Sequence, residues 1–195
     1  MSTNRHEKER QRTRLAFMNA ALNLILEKGY DHITVMDIVR AADYGRSTFY
    51  EHFADKEAIA WAILENHVMT LDAEIAQATE GKASPEQEWI AWVMICEDIA
   101  IQRKVFLKMD SEISRRLRFR QKELLIMGFQ MKFEAGDDYL LGDVPPAIRA
   151  RYVVGAALEI LDYWLANPDA GTAPEIATII FKLIYKLDPP EGNSE

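Results

Sequence analysis

The sequence predicts an all-α protein, with an N-terminal three-helix helix-turn-helix module followed by a larger all-helical domain, about nine helices in total. Three observations carry this. Apolar residues from Leu15 to Leu187 recur at intervals of three and four, the spacing of a helix face, and no strand-forming alternation interrupts them. Start and stop signals such as Gly29, Thr34, Asp55, Gly81 and Ser84-Pro85 fall between those stretches. A chain of 195 residues with 49% hydrophobic content is also long enough to bury a sizeable core.

Taken in order, Leu15, Met18, Ala21, Leu22, Ile25 and Leu26 predict a support helix from about residue 12, which Gly29 ends. The extreme N-terminus carries Arg5, Lys8, Arg10, Arg12 and Arg14. It reads as an arm for phosphates or the minor groove, or equally as a solvated tail that also holds Glu7 and Glu9. Thr34 is the cap of a second helix, with Asp37 at its third position to answer the cap, and Val35, Ile38, Val39 and Ala42 form its inner face. Asp43-Tyr44-Gly45 supplies a turn. The helix after it, Arg46 to Phe53, points Phe49 and Phe53 inward, which leaves Ser47 and Glu51 outward, Thr48 and Tyr50 on the flanks and Arg46 at the tip. Such a tip suits the major groove of DNA, which a recognition helix enters with its N-terminal residues against base edges.

Asp55 caps a fourth, connecting helix that runs through Ile59, Ile63, Leu64, Val68, Leu71 and Ile75. Ser84-Pro85-Glu86-Gln87 opens a central helix that is apolar nearly all round, with Trp89, Trp92, Val93, Cys96 and Ile99 on one stripe and Ile90, Met94 and Ile101 on another. Glu97 falls on the second stripe, as a buried acid with a partner or as a group lining a cavity. Residues 104–110 predict a short helix or turn. From Ser111 to about Ala135 a long helix has a basic first half and a second half rich in Phe and Met, and Gly136 to Asp143 is a loop. Two further helices span about 147–166 and 174–187. Each is apolar on more than one side, which calls for a second pair from another subunit in a four-helix bundle. The faces offered to the partner are Tyr152, Gly155, Ala156, Glu159 and Tyr163 on one helix and Ile176, Ile180 and Ile184 on the next. Domain limits follow as 1–54, 55–188 and a disordered tail at 189–195.

Several function classes are disfavoured. The four histidines fall outside any metal-ligand spacing, the single Cys96 excludes an internal disulfide and reads as core, and neither a phosphate loop nor a nucleophile elbow occurs. An enzyme is not expected, nor a cofactor or metal. No secretory signal or membrane span is present, so the expected place is the cytoplasm. The net charge of −8 opposes DNA binding until it is divided along the chain. Residues 1–60 hold nine basic and nine acidic residues, which leaves 14 basic against 22 acidic in the remainder, so the acidity lies in the second part. Charges beyond about 8 Å are screened at physiological salt, so local placement outweighs the sum.

Thr34, Asp37-Ile38, Ala41-Ala42, Thr48-Phe49-Tyr50, His52-Phe53 and Lys56-Glu57 resemble the DNA-binding signature of the tetracycline-repressor (TetR) family of bacterial transcription regulators. The resemblance covers roughly Arg12 to Ile63. It implies a repressor that binds a pseudo-palindromic operator as a homodimer and is released by a small-molecule effector. It implies too that Arg46, Ser47 and Thr48 face bases while Thr34, Tyr50, His52 and Lys56 hold phosphates. The sequence departs from the pattern where the usual turn glycine is Asp43 and the usual hydroxyl cap of the recognition helix is Gly45. By the same resemblance an effector would sit among the later helices. Trp61, Met69, Trp89, Trp92, Glu97, Phe129, Met131 and Phe133 are its expected lining, favouring an apolar or cationic guest. The competing expectation is a DNA-anchored interaction protein controlled by a protein partner.

Overall fold

In the computed structural model residues 2–107, 112–136 and 143–190 are described. They form eight α-helices and two short 3-10 turns, and no strand among the described residues. The helices are α1 (Ser2–Lys28), α2 (Val35–Ala42), α3 (Arg46–His52), α4 (Lys56–Thr79), α5 (Ser84–Leu107), α6 (Glu112–Glu134), α7 (Pro146–Ala166) and α8 (Ala173–Tyr185), with 3-10 turns at Tyr30–His32 and Pro168–Ala170. No helix is long and apolar enough to cross a membrane among those residues.

The all-α expectation holds, with one helix fewer than expected among the described residues. Nothing between Ala100 and Leu107 breaks a helix, since neither glycine nor proline occurs there, so α5 continues through the first part of the expected short helix at 104–110. Residues 108–111 lie outside the described part, as do 137–142 of the expected loop and 191–195 of the expected tail. The basic residues Arg5 to Arg14, expected as a tail, ride on α1 itself.

The chain divides into two compact units, Met1–Thr70 with Lys104–Leu117, and Leu71–Arg103 with Arg118–Glu195. The expected boundary at 54/55 falls inside the first. Its core is built from Phe17, Met18, Ala21 and Ile25 of α1, Tyr30 and Ile33 of the turn, Ile38 and Val39 of α2, Phe49 and Phe53, and Ile59 to Ala62 of α4. Phe17 is the centre: its fully buried ring meets Phe49 edge-on at 5.4 Å, Tyr44 at 5.2 Å and Phe53 at 6.4 Å between centroids. The sequence reading placed Leu15 on that face and passed over Phe17, yet Leu15 is 46% exposed. Two residues apart on a helix, the two side chains point some 200° from each other, so only one of them can face the core.

The second unit centres on Trp89, Trp92 and Cys96 of α5, Ile126 and Phe133 of α6, the inner face of α7 from Ala150 to Trp164, and Ile176, Ala177, Ile180, Phe181 and Ile184 of α8. Burial pushes the Cys96 thiol up to about 12, so it stays protonated and serves as packing. Among the described residues one acid is buried there, and it is Glu88, only 7% exposed. The Tyr185 hydroxyl donates to Glu88 Oε2 at 2.6 Å, Lys132 pairs with Oε1, and the Trp92 indole N–H donates to the Tyr185 oxygen at 3.4 Å. Both carboxylate oxygens are therefore answered, which is what a charge needs in such surroundings.

Candidate nucleic-acid interface

The helix-turn-helix is set by local chemistry. Thr34 Oγ1 accepts from the Asp37 amide at 3.2 Å while Asp37 Oδ2 receives the Thr34 amide at 2.8 Å and hydroxyl at 2.6 Å, a reciprocal cap that starts α2. The bonds from Thr34 hold the Asp37 carboxyl below its usual range. Asp43 ends α2 in the left-handed conformation, φ 57° and ψ 44°, and its amide reaches back to the Arg40 and Val39 carbonyls. Asp fills the place of a turn glycine because its short polar side chain tolerates that region. Gly45 is extended at φ −78° and ψ 153° and leads into α3 without a side-chain cap. The first amides of α3 thus lack a side-chain partner of their own, at the end that carries the positive pole of the helix.

On α3, Phe49 is buried, Arg46, Ser47, Tyr50 and Glu51 are exposed, and Thr48 and His52 are half-buried. The Arg46 guanidinium lies 5.6 Å from the Tyr50 ring centroid, with Nη2 3.5 Å from the Tyr50 hydroxyl. One turn apart, the two make a single presented pair, and the tyrosine limits the rotamers of the arginine. A flat guanidinium fork on the outer face of a helix, beside two hydroxyls, matches the acceptors of base edges and phosphates.

Not every expected contact faces outward. The Thr34 hydroxyl proton is already bound to Asp37. The Lys56 ammonium turns inward onto two backbone carbonyls, Tyr30 at 2.9 Å and Ile33 at 3.0 Å, and sits 4.1 Å from the Tyr30 ring centroid. Burial pulls its pKa below the usual lysine value. His52 is held below its usual value by burial and then by Arg10 and Arg14, so it stays neutral at physiological pH and offers a hydrogen bond rather than a charge.

The residues expected to line an effector cavity fall in both units. Trp89, Trp92 and Phe133 share the core of the second unit and Phe129 packs against it, but Trp61 belongs to the core of the first unit. Met69 is 67% exposed and Met131 is exposed as well. Glu97 is on the surface, which removes the acid that favoured a cationic guest. The buried charges of that core are Glu88 and Arg149, whose guanidinium lies 5.0 Å from the Phe133 ring centroid. Sequence reasoning passed over both, and the one signal available was the position of Glu88 immediately before Trp89 on an almost wholly apolar helix.

The expected partner faces divide in the same way. Tyr152, Glu159 and Tyr163 of α7 are exposed and Gly155 and Ala156 half-buried, with open space beside the Gly155 Cα. On α8 the expected Ile176, Ile180 and Ile184 are buried in their own unit, because that stripe packs on α7. The apolar side chains that α8 leaves outside are Ile179 and Leu183, at 44% and 48% exposure, and Leu187 just beyond the helix is 41% exposed.

The sequence model described as "Bacterial regulatory proteins, tetR family" matches residues 17–63, which span the helix-turn-helix and its support. That stretch belongs to the TetR family. YwcC of Bacillus subtilis (strain 168), an HTH-type transcriptional regulator, is 36% identical over 69 residues, 35% of this chain and 31% of that protein. The chain thus matches about a third of the length of that relative. Over nearly the whole chain the likeness is one of fold. A TetR-family regulator from Syntrophomonas wolfei superposes with a TM-score of 0.72 at 19% identity, over 95% of this chain and 99% of that one. FadR of Bacillus subtilis, solved in complex with stearoyl-CoA, gives 0.62 at 14% identity over 87% and 96%.

Proposed function

We propose that the chain is a sequence-specific DNA-binding repressor that occupies a pseudo-palindromic operator as a homodimer, works in the cytoplasm, and leaves the operator when a small molecule binds its second unit. The observation that carries the reading is the outer face of α3, where Arg46, Ser47, Thr48 and Tyr50 stand on a helix whose inner face is locked by Phe17 and Phe49. A base-reading helix needs that rigidity, because a contact displaced by an ångström no longer discriminates. Arg46, Ser47 and Thr48 are assigned to base edges and Tyr50 to a phosphate.

Dimerisation is assigned to α7 and α8, through Tyr152, Gly155, Ala156, Glu159 and Tyr163 together with Ile179 and Leu183 in place of the buried isoleucine stripe. Apart from Glu159 the array is aromatic, aliphatic or small, and water is a poor neighbour for its exposed apolar side chains. Two recognition helices then meet half-sites about one helical turn apart. Leu183→Arg should yield a monomer in light scattering and lose the operator, and a dimeric Leu183→Arg variant would move the interface elsewhere.

The effector is assigned to the core of the second unit, among Trp89, Trp92, Phe129 and Phe133, and its chemistry to an apolar body. The acyl chain bound by the FadR neighbour is of that kind. Release requires only differential affinity for two conformations, about 1.4 kcal/mol for a tenfold loss of DNA affinity. The test of the reading begins with selection of duplexes from a random pool by the purified protein, followed by anisotropy with and without a library of apolar compounds. Enrichment of a pseudo-palindrome supports the DNA reading and the absence of any enrichment refutes it. A compound that lowers affinity for the enriched duplex supports the effector. If none does, a protein partner takes its place.

A further inference from the structure

Two cations of the helix-turn-helix are turned inward, and the chain they hold is the one that presents the recognition helix. Lys56 is the first residue of α4. A positive charge there opposes the positive pole of the helix and sits partly out of water, so by local electrostatics the position favours an acid. The adjoining Asp55 already serves as the cap, its carboxylate accepting the Ala58 amide at 2.7 Å. The lysine is accommodated because its ammonium reaches Tyr30 and Ile33, whose carbonyls it bonds at 2.9 and 3.0 Å, and the face of the Tyr30 ring at 4.1 Å. Tyr30 to Ile33 is the chain that enters the helix-turn-helix, and Lys56 is the chain that leaves it. One side chain therefore ties entry to exit. A second tie holds the far end of the recognition helix: the Arg14 guanidinium donates to the His52 carbonyl at 3.1 Å, at the negative pole of α3, and lies 4.4 Å from the Phe53 ring centroid.

We propose that Lys56 and Arg14 are positioning residues that fix the pose of α3 from inside the module, and that neither is a phosphate contact. The inference rests on the DNA-binding reading above. It separates these two from the outward cation Arg46, and it assigns them an effect on discrimination between sequences that a phosphate contact would not have. A phosphate contact contributes uniformly to all duplexes and adds about 0.9 to the slope of log affinity against log salt. A positioning residue leaves the slope and changes the ratio of affinities for the right and wrong sequence, because base contacts depend on alignment and diffuse attraction does not.

The experiment uses the full chain, the duplex enriched by selection and a mixed-sequence duplex of equal length. Lys56→Gln and Arg14→Gln are each compared with the unmodified protein, at a temperature where circular dichroism shows the variant folded. The expected result is a salt slope equal to that of the unmodified protein and a ratio of enriched to mixed affinity reduced at least tenfold. A slope reduced by about 0.9 for each protomer, roughly 1.8 for the dimer, with an unchanged ratio makes the residue a phosphate contact and overturns the proposal. An unchanged slope with an unchanged ratio makes it merely structural and overturns it equally. Lysine acetylation on the unmodified protein, read by mass spectrometry, keeps the test open if a variant does not fold. Lys56 should react at the same rate with and without the enriched duplex, and protection by DNA refutes the assignment. Failure of the unmodified protein to enrich any duplex is a different outcome, which removes the DNA-binding reading itself.

Discussion

Phe17→Ala removes the ring on which α1, α2 and α3 converge. The side chain is fully buried and its ring meets those of Tyr44, Phe49, His52 and Phe53, at centroid distances from 5.2 to 6.4 Å. Truncating a buried Phe to Ala costs about 3–5 kcal/mol through lost transfer energy and the cavity left behind. Aromatic pairs contribute about 0.5–1.5 kcal/mol beyond area, which places this site toward the upper end of the range. Domains are stable by only about 5–15 kcal/mol, so the change takes a large share of the stability of the first unit. Urea unfolding followed by far-ultraviolet circular dichroism measures it, with Leu15→Ala as control. Leu15 lies on the same helix but is 46% exposed, and its truncation should cost less than about 1 kcal/mol. If the two variants unfold at the same midpoint, Phe17 is not the centre of the module and the account of how α3 is held rigid is wrong.

Three further outcomes are expected. Asp43→Val should destabilise the protein by about 1–2 kcal/mol, since a β-branched residue takes the left-handed conformation poorly, while Asp43→Gly should be neutral or stabilising in thermal melts. Glu88→Gln should cost about 1–3 kcal/mol in chemical unfolding, because a buried carboxylate that accepts from Tyr185 and pairs with Lys132 is replaced by a group that leaves the lysine charge uncompensated. The folded pKa of His52 is lowered from 6.5, so the unfolded chain takes up a proton first as pH falls, and the stability contributed is complete above about pH 6.5 and lost below it. His52→Gln should therefore flatten the fall in stability as the pH drops below about 6.5.

What was legible in the sequence was what neighbours along the chain decide. The cap at Thr34 and Asp37, the stop at Gly29, the left-handed Asp43 and the inward Phe49 each depend on residues within a turn or two, and each is found as expected. The rest depends on distant partners. Glu97 and Glu88 lie on one helix that is apolar nearly all round, and periodicity on such a helix does not tell which acid is inside. The choice falls on Glu88 because Lys132 and Tyr185 come to it from 44 and 97 residues away. On α8 the two isoleucine and leucine stripes are equally apolar, and packing of α7 on one of them decides that Ile176, Ile180 and Ile184 are buried while Ile179 and Leu183 stay outside. Lys56 was correctly placed at the start of α4, but its role turns on the direction of a long flexible side chain, which no spacing rule encodes.

The most direct test of the central claim, that the outer face of α3 reads bases, is the affinity of the unmodified protein and of Arg46→Ala for a set of duplexes in which each base pair of the enriched site is replaced in turn. The account predicts that Arg46→Ala loses about 1–3 kcal/mol on the enriched site and becomes indifferent to the base pair at one position in each half-site, keeping its preferences elsewhere. An equal loss on every duplex, with every positional preference retained, would contradict it.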